Sequence, residues 1–245
     1  MTDTQGRVAI VAGGSRGIGR AVAERLAADG QAVVIGYQSN DVEAKAVVAA
    51  IEAAGGSAVA VRADVADEAA VQALFDAAER RFGGVDVLVN TAGIMLLELV
   101  AGLDLEHLDR IYRTNIRGTF VLAREAANRL RSGGAIINFS TSVTRLHLPT
   151  YSAYAASKAA VEAISPILAK ELAGRDITVN AVAPGPVATA LFLEGKSPEL
   201  IDRIASMNPM GRLGTPEDIA EVVSSLAGPA RWINGQTVFA NGGYA

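Results

Sequence analysis

None of the chain's 245 residues is a cysteine. That excludes disulfides, thiolate metal sites and a cysteine nucleophile. Histidine is almost as scarce. His107 and His147 are the only two, and neither has the spaced partners of a metal cluster or a catalytic triad, so no metal is expected. Aromatics make up 5% of the chain, while half of all residues are hydrophobic. The apolar content is therefore carried by Ala, Val, Leu and Ile. Long basic runs are missing and the net charge is −4, which argues against a nucleic-acid partner. No apolar run is long enough to cross a membrane. Met1 to Arg7 is polar and lacks a signal-peptide pattern. With no linker, short repeat or low-complexity tract either, the expectation is one domain over 1–245 in the cytoplasm.

The chain alternates short β-branched runs with helical periodicity. Strands are expected at Val8 to Ala12, Gln31 to Tyr37, Ala58 to Arg62, Val85 to Val89, Ala135 to Phe139, Asp176 to Ala181 and Gln236 to Ala240. Helical segments lie between them, among them Arg20 to Asp29, Asp41 to Ala54 and a run from Asp67 to Phe82. Further helices are expected around Tyr112 to Phe120, over Tyr154 to Leu172, and from Thr215 as N-cap to about Leu226. Pro166 should kink the long one near Glu162. Regular β-α alternation implies a doubly wound, parallel, seven-stranded sheet between helical layers: an α/β/α Rossmann fold.

After the first strand comes Gly13-Gly14-Ser15-Arg16-Gly17-Ile18-Gly19, then a helix. Glycines let backbone approach a pyrophosphate, and free N–H groups at the helix start bind its charge. Gly13, Ser15, Arg16, Gly17, Ile18 and Gly19 are thus candidate dinucleotide contacts. At the end of the second strand an NAD-binding fold usually carries a carboxylate for the ribose 2′-hydroxyl. Here Tyr37, Gln38 and Ser39 stand in its place, and Arg16 is positioned to pair with a 2′-phosphate. NADP(H) is the expected cofactor, with Asp41 as the complication. Asp64 and Val65 follow the third strand. Asp64 suits either the adenine amino group or a turn. Asn90, Thr91, Ala92 and Gly93 end the fourth strand, and such small residues suit a cofactor pressed against the sheet.

Tyr154 and Lys158 are four residues apart, on one helical face. A tyrosine titrates near ~10, and a nearby ammonium would lower that value. Tyr154 would then exchange a proton with a carbonyl or alcohol oxygen.

In this order the motifs Gly13-x-x-x-Gly17-x-Gly19, Asn90-Thr91-Ala92-Gly93, Asn115, Ser140-Thr141-Ser142, Tyr154-x-x-x-Lys158 and Pro184-Gly185 resemble the short-chain dehydrogenase/reductase family. The resemblance spans nearly the whole chain. It is strongest to 3-oxoacyl-carrier-protein reductases and polyhydroxynaphthalene-reductase-like members. It implies that Tyr154 is the general acid, that Lys158 holds the nicotinamide ribose, and that Asn115 anchors a water linking Lys158 to solvent. It implies a hydroxyl that holds the substrate carbonyl. The usual spacing back from the tyrosine lands on Thr141; Ser142 requires a one-residue deletion, and Ser140 is third. Pro184 and Gly185 belong to the cofactor motif, and Val187 and Thr189 would contact the carboxamide. Ala190 stands where relatives often carry an acidic residue.

A lid is expected over about 190–212, with Phe192 on it. Other substrate walls would be Met95, Ile94, Leu96, His147, Leu148 and Tyr151. The expected activity is NADPH-dependent reduction of an aldehyde or ketone, with a 3-oxoacyl thioester among the candidates. The same residues would serve an alcohol dehydrogenase, and a non-catalytic NADP(H) sensor is the alternative of another class. The family implies a homotetramer, or a homodimer.

Overall fold

The computed structural model describes residues 6–245, so the first five residues of the polar N-terminal stretch lie outside it. Seven strands form one parallel sheet: β1 (Val8–Ala12), β2 (Ala32–Tyr37), β3 (Ser57–Arg62), β4 (Val85–Asn90), β5 (Leu130–Phe139), β6 (Thr178–Pro184) and β7 (Thr237–Ala240). Their order is β3-β2-β1-β4-β5-β6-β7. The helices are α1 (Gly17–Ala28), α2 (Asp41–Ala53), α3 (Glu68–Phe82), α4 (Leu105–Ile111), α5 (Gly118–Arg129), α6 (Val143–Leu146), α7 (Ser152–Glu171), α8 (Ala190–Leu193), α9 (Pro198–Ser206) and α10 (Pro216–Ala227). A π-helical turn, Tyr112–Arg117, joins α4 to α5.

Strand side chains alternate between faces, and both faces here are covered. Ala9, Val11, Val33 and Ile35 pack with Val22, Leu26, Val223 and Leu226 of α1 and α10. Val8, Ile10 and Val34 pack on the other side with Leu74, Phe75, Leu122 and Leu168 of α3, α5 and α7. This explains the near-continuous apolar strands in the sequence. The chain winds outward from β1 in one direction and then restarts at β4 beside it. The crevice above the C-terminal ends of β1 and β4 is the topological switch point, where such sheets bind ligands.

Four strands, β2, β3, β4 and β7, differ from expectation by one residue at one end; β5 and β6 depart further. β5 begins at Leu130, not Ala135, because its register shifts opposite Val85 and Val87. At that irregularity Asp86 accepts from the Val8 amide (2.7 Å) and from Arg131 Nε (2.8 Å). β6 begins at Thr178, since Asp176 has φ +51° and cannot continue a strand, and it extends to Pro184. α7 runs unbroken through Pro166. Ser165 Oγ donates to the Val161 carbonyl at this turn (3.0 Å).

Candidate active site

Two cavities meet above the switch point. The first, about 270 Å³, is walled by Gly13, Ser15, Arg16, Gly17, Ile18 and Gly19, by Tyr37, Gln38 and Ser39, and by Asp64, Val65, Ala92 and Gly93. α1 starts at Gly17 with no side-chain cap and no acidic residue in its first turn, so its free amides face this space. Gly19 is required by contact. A Cβ there would lie 2.2 Å from the Gly13 carbonyl oxygen and 2.6 Å from Thr91 Oγ1. Arg16 is exposed and enters no ion pair among the described residues. A dinucleotide phosphate fits this cradle: bare backbone, free helix amides and an unengaged cation.

At the ribose end the Tyr37 hydroxyl donates to Asp41 Oδ1 (2.7 Å), while Lys45 pairs with Asp41 Oδ2 (2.7 Å). Lys45 and Tyr37 together hold the Asp41 carboxyl below its usual range. The acid that complicated the cofactor reading is therefore neutralised locally. Arg62, which the sequence reading passed over, donates from Nε to the Gln38 carbonyl (2.9 Å) and adds positive potential. Glu43, also passed over, lines the same cavity. Asp64 acts in a turn: it accepts from the Ala66 amide (2.9 Å) and from Arg113 Nη1 (2.7 Å).

One expected contact is corrected. Asn90 is buried and does not line the cavity. Its Nδ2 donates to Thr119 Oγ1 (3.1 Å), whose hydroxyl donates to the Asn115 carbonyl (2.7 Å). Asn90 thus couples the end of β4 to the π-turn that carries Asn115. Strand alternation explains it: the neighbouring Thr91 faces the cavity, so Asn90 faces helix α5.

The second cavity, about 210 Å³, shares Ile18, Thr91, Gly93, Ile94, Thr189 and Leu191 with the first. Tyr154 and Lys158 line the second, and Phe139, whose carbonyl accepts from Lys158 Nζ, lines both. A Cβ on Gly93 would lie 3.2 Å from Lys158 Nζ and 3.3 Å from Asn115 Oδ1, so a side chain there would crowd both groups. Asn115 Oδ1 accepts from the Ile94 amide (2.9 Å), and its Nδ2 donates to the Ile94 carbonyl (3.0 Å) and to Ser157 Oγ (3.0 Å). The extra residue of the π-turn aims Asn115 inward.

The electrostatics of the pair differ from the sequence expectation. Lys158 was expected to lower the tyrosine pKa. Instead Lys158 Nζ donates to the Phe139 carbonyl (2.8 Å) and lies 6.0 Å from the Tyr154 ring centre. Burial pushes Tyr154 up to about 12, against a smaller lowering by a hydrogen bond with Thr141. Burial also brings Lys158 down to about 8. Desolvation outweighs mutual attraction at this separation.

The three hydroxyls after β5 now separate. Thr141 is the one of the three that acts on Tyr154, lowering its pKa against the effect of burial. Ser142 Oγ donates toward the Ala183 carbonyl (3.4 Å) and accepts from Asn241 Nδ2 (3.1 Å). Ser140 Oγ donates to Glu162 Oε1 (2.6 Å).

Among the expected substrate walls, Ile94, Met95, Leu148, Tyr151 and Phe192 line this cavity. His147 does not. It caps α6 with φ +50° and is exposed, which is a second correction. Leu96 is likewise outside the lining. Pro184, Gly185, Val187 and Thr189 line this cavity, Thr189 alone lining the first as well, and Thr189 Oγ1 caps α8 by accepting from the Phe192 amide (3.3 Å). Leu146, Ile204, Lys196 and Tyr244 complete the wall and were missed. Tyr244 reaches the cavity from 103 residues beyond Thr141 in sequence, a proximity no local pattern signals. No cluster of metal-ligating side chains occurs among the described residues, nor does a helix long and apolar enough to cross a membrane.

A family model described as enoyl-(acyl carrier protein) reductase matches residues 12–245. An NADPH-dependent aldehyde reductase 2, chloroplastic, from Arabidopsis thaliana is 49% identical, across 97% of this chain and 93% of that protein. A versicolorin reductase from Emericella nidulans is 38% identical over 97% of this chain and 95% of its own. The crystal structure of a short chain dehydrogenase from Burkholderia cenocepacia in complex with NADP superimposes with a TM-score of 0.93. It is 40% identical, with 99% of each chain covered. Motifs, fold and relatives agree, and the chain belongs to the short-chain dehydrogenase/reductase family.

Proposed function

We propose that this protein is an NADPH-dependent carbonyl reductase in which Tyr154 protonates the oxygen of an apolar aldehyde or aromatic ketone. The observation that carries this reading is the meeting of the two cavities at Gly93 and Phe139, beside Lys158, with Tyr154 and Thr141 on the wall of the second. NADPH, when bound, supplies the hydride; the relatives named for NADPH and NADP support that choice. Arg16 and the α1 amides would hold its phosphates, and Lys158 its ribose. Thr141 donates a hydrogen bond that orients the carbonyl, and Tyr154 delivers the proton. A phenol held near 12 is protonated throughout the neutral range. That suits proton donation; alcohol oxidation would use the same residues in reverse. The test is NADPH consumption with aldehydes, aryl ketones and 3-oxoacyl thioesters; no turnover with any of them would sink the reading.

The substrate walls support the apolar class. Tyr151 and Tyr154 meet edge-on at 6.4 Å, and burial followed by the charge of Tyr244 raises the Tyr151 pKa. Lys196, the cation of the lid that lines this cavity, is occupied by the Phe192 carbonyl and lies 4.5 Å above the Phe192 ring. Such a surface favours aromatic and aliphatic carbonyls over highly charged ones. A 3-oxoacyl thioester is the next class to try. The segment 190–212 would close over it, hinged at Gly195, whose φ is +73°.

Thr141→Ala should lower kcat/KM by about 10- to 100-fold, the scale of one buried hydrogen bond to a developing charge. Ser142→Ala and Ser140→Ala should cost less; if Ser142→Ala proves the most damaging, Thr141 has been misassigned. Arg16→Ala should weaken NADPH by about tenfold, as loss of one charge-assisted contact would, and leave NADH almost unchanged in parallel titrations. Equal weakening of both would remove Arg16 from the 2′-phosphate.

The protein is further proposed to assemble as a homotetramer or homodimer, with exposed Phe120 and Ile167 on the helical faces available for burial. A monomeric mass in solution would refute this. A cytoplasmic setting rests only on the cysteine-free composition, and cell fractionation would decide it.

A further inference from the structure

Glu162 lies one turn beyond Lys158 on α7 and has no part in the chemistry described so far. Its Oε1 accepts from Ser140 Oγ (2.6 Å) and from Thr144 Oγ1 (2.8 Å). These two hydroxyls flank Thr141, one residue before and three after. Thr144 Oγ1 also lies 2.9 Å from the Thr141 carbonyl. We propose that Glu162 is a positioning residue: its single carboxylate oxygen gathers Ser140 and Thr144 and thereby sets the Thr141 hydroxyl against Tyr154. This rests on the reductase reading above.

The loop needs such a link. On its sheet side, Ser140 and Ser142 amides donate to the Val182 and Pro184 carbonyls (2.8 and 2.9 Å), which fixes the loop to β6. Those bonds do not fix it to α7, the helix that carries Tyr154. Across that gap run Lys158 Nζ to the Phe139 carbonyl, a long contact from Ser140 Oγ to the Lys158 carbonyl (3.4 Å), and the Glu162 pair. Lys158 has a task at the ribose, so Glu162 is the strongest link free to stay in place through turnover. The turn it steadies is weak in itself. α6 has four residues and no side-chain cap hydrogen bond. Nor does Glu162 act through charge on Lys158, whose lowered pKa has burial as its cause. Hydrogen bonds to a carboxylate are stronger than neutral ones, so one acceptor suffices for both hydroxyls.

The test compares Glu162→Ala with Glu162→Gln, whose amide oxygen still accepts both hydrogen bonds. Loss of the clamp should lower kcat about 10- to 100-fold in Glu162→Ala, the cost of a small misplacement of reacting groups. NADPH affinity should stay within about twofold, as expected for a site away from the cofactor cradle. The isotope effect with NADPH deuterated at the transferred position should rise, because the chemical step slows. Glu162→Gln should restore most of kcat. Hydrogen exchange at the amides from Val143 to His147 should quicken about tenfold in the Ala variant and not in Gln, reporting local opening. Wild-type kcat and exchange in Glu162→Ala would overturn the proposal. So would equal losses in both variants, or a loss that tracks NADPH affinity or melting temperature. If the wild type reduces no carbonyl, the reductase reading fails, and exchange alone decides whether the clamp exists.

Discussion

Tyr154→Phe is expected to lower kcat/KM for carbonyl reduction by about 10³-fold, within the range a positioned acid contributes, with NADPH affinity and melting temperature close to wild type. The ring stays, so its edge contact with Tyr151 survives. Only the hydroxyl is lost, and no packing contact goes with it. The pH dependence follows from the direction of each shift. Tyr154 sits at about 12 in the fold, above the ordinary tyrosine value of 10.0. Its neutral form is therefore stabilised by folding; that contribution is whole below pH 10 and is lost as pH rises through 12. Lys158 runs the other way. Folding lowers it from 10.5 to about 8, so the cost of burying its charge is present below pH 8 and is relieved between 8 and 10.5. The alkaline limb of wild-type kcat/KM should accordingly begin near pH 8, where Lys158 loses its proton, and not near 12. Lys158→Met should remove that limb as well as most activity. Steady-state rates from pH 6 to 10, with NADPH titrated by fluorescence, make the comparison. Tyr154→Phe within threefold of wild type would discard Tyr154 as the proton donor.

The shift of Tyr154 was the point on which local reasoning failed, and the reason is physical. A spacing of four puts two side chains on one face, but it says nothing of what desolvates them. Lys158 reaches back to the Phe139 carbonyl at the end of β5, a partner nineteen residues earlier in the chain. Parallel strands were legible because burial on both faces leaves near-continuous β-branched runs such as Val8–Ala12. The glycine loop was legible because contact at Gly19 tolerates no side chain. The start of β5 was not, since Arg131 and Ser132, just after the buried Leu130, are exposed and fall in the register shift between Leu130 and Ala135. Tyr244, Glu162 and the inward turn of Asn90 depend on elements brought together only by tertiary packing. His147 looked like a pocket residue because both its neighbours, Leu146 and Leu148, are. The left-handed turn at His147 swings its ring out between them. The proposed preference for Thr141 over Ser142 rests partly on the hydrogen bond from Asn241 Nδ2 to Ser142, a partner 99 residues away in the chain.

Gly19→Ala carries the other large expected effect, and it is steric. The added Cβ would lie 2.2 Å from the Gly13 carbonyl oxygen and 2.9 Å from its carbon, both backbone, with Thr91 Oγ1 at 2.6 Å. Gly19 does not depend on a left-handed backbone; Gly13 and Gly17 do, at φ +80° and +52°. The strain can be relieved only by moving the loop off the start of α1, which spoils the cradle for phosphate. Overpacking of this kind costs about 1–3 kcal/mol. Taken from binding, that weakens NADPH by about 10- to 100-fold. Gly55→Ala is the matching control. Gly55, unlike Gly19, follows a helix end at positive φ, +84°, and a Cβ there meets nothing within 4 Å. It should lose roughly 1 kcal/mol of stability through the left-handed backbone alone and bind NADPH as wild type does. Fluorescence titration and thermal melts of both variants separate the two costs. NADPH affinity unchanged in Gly19→Ala would mean that the loop yields without loss, and that close contact at Gly19 has no bearing on how the phosphates are held.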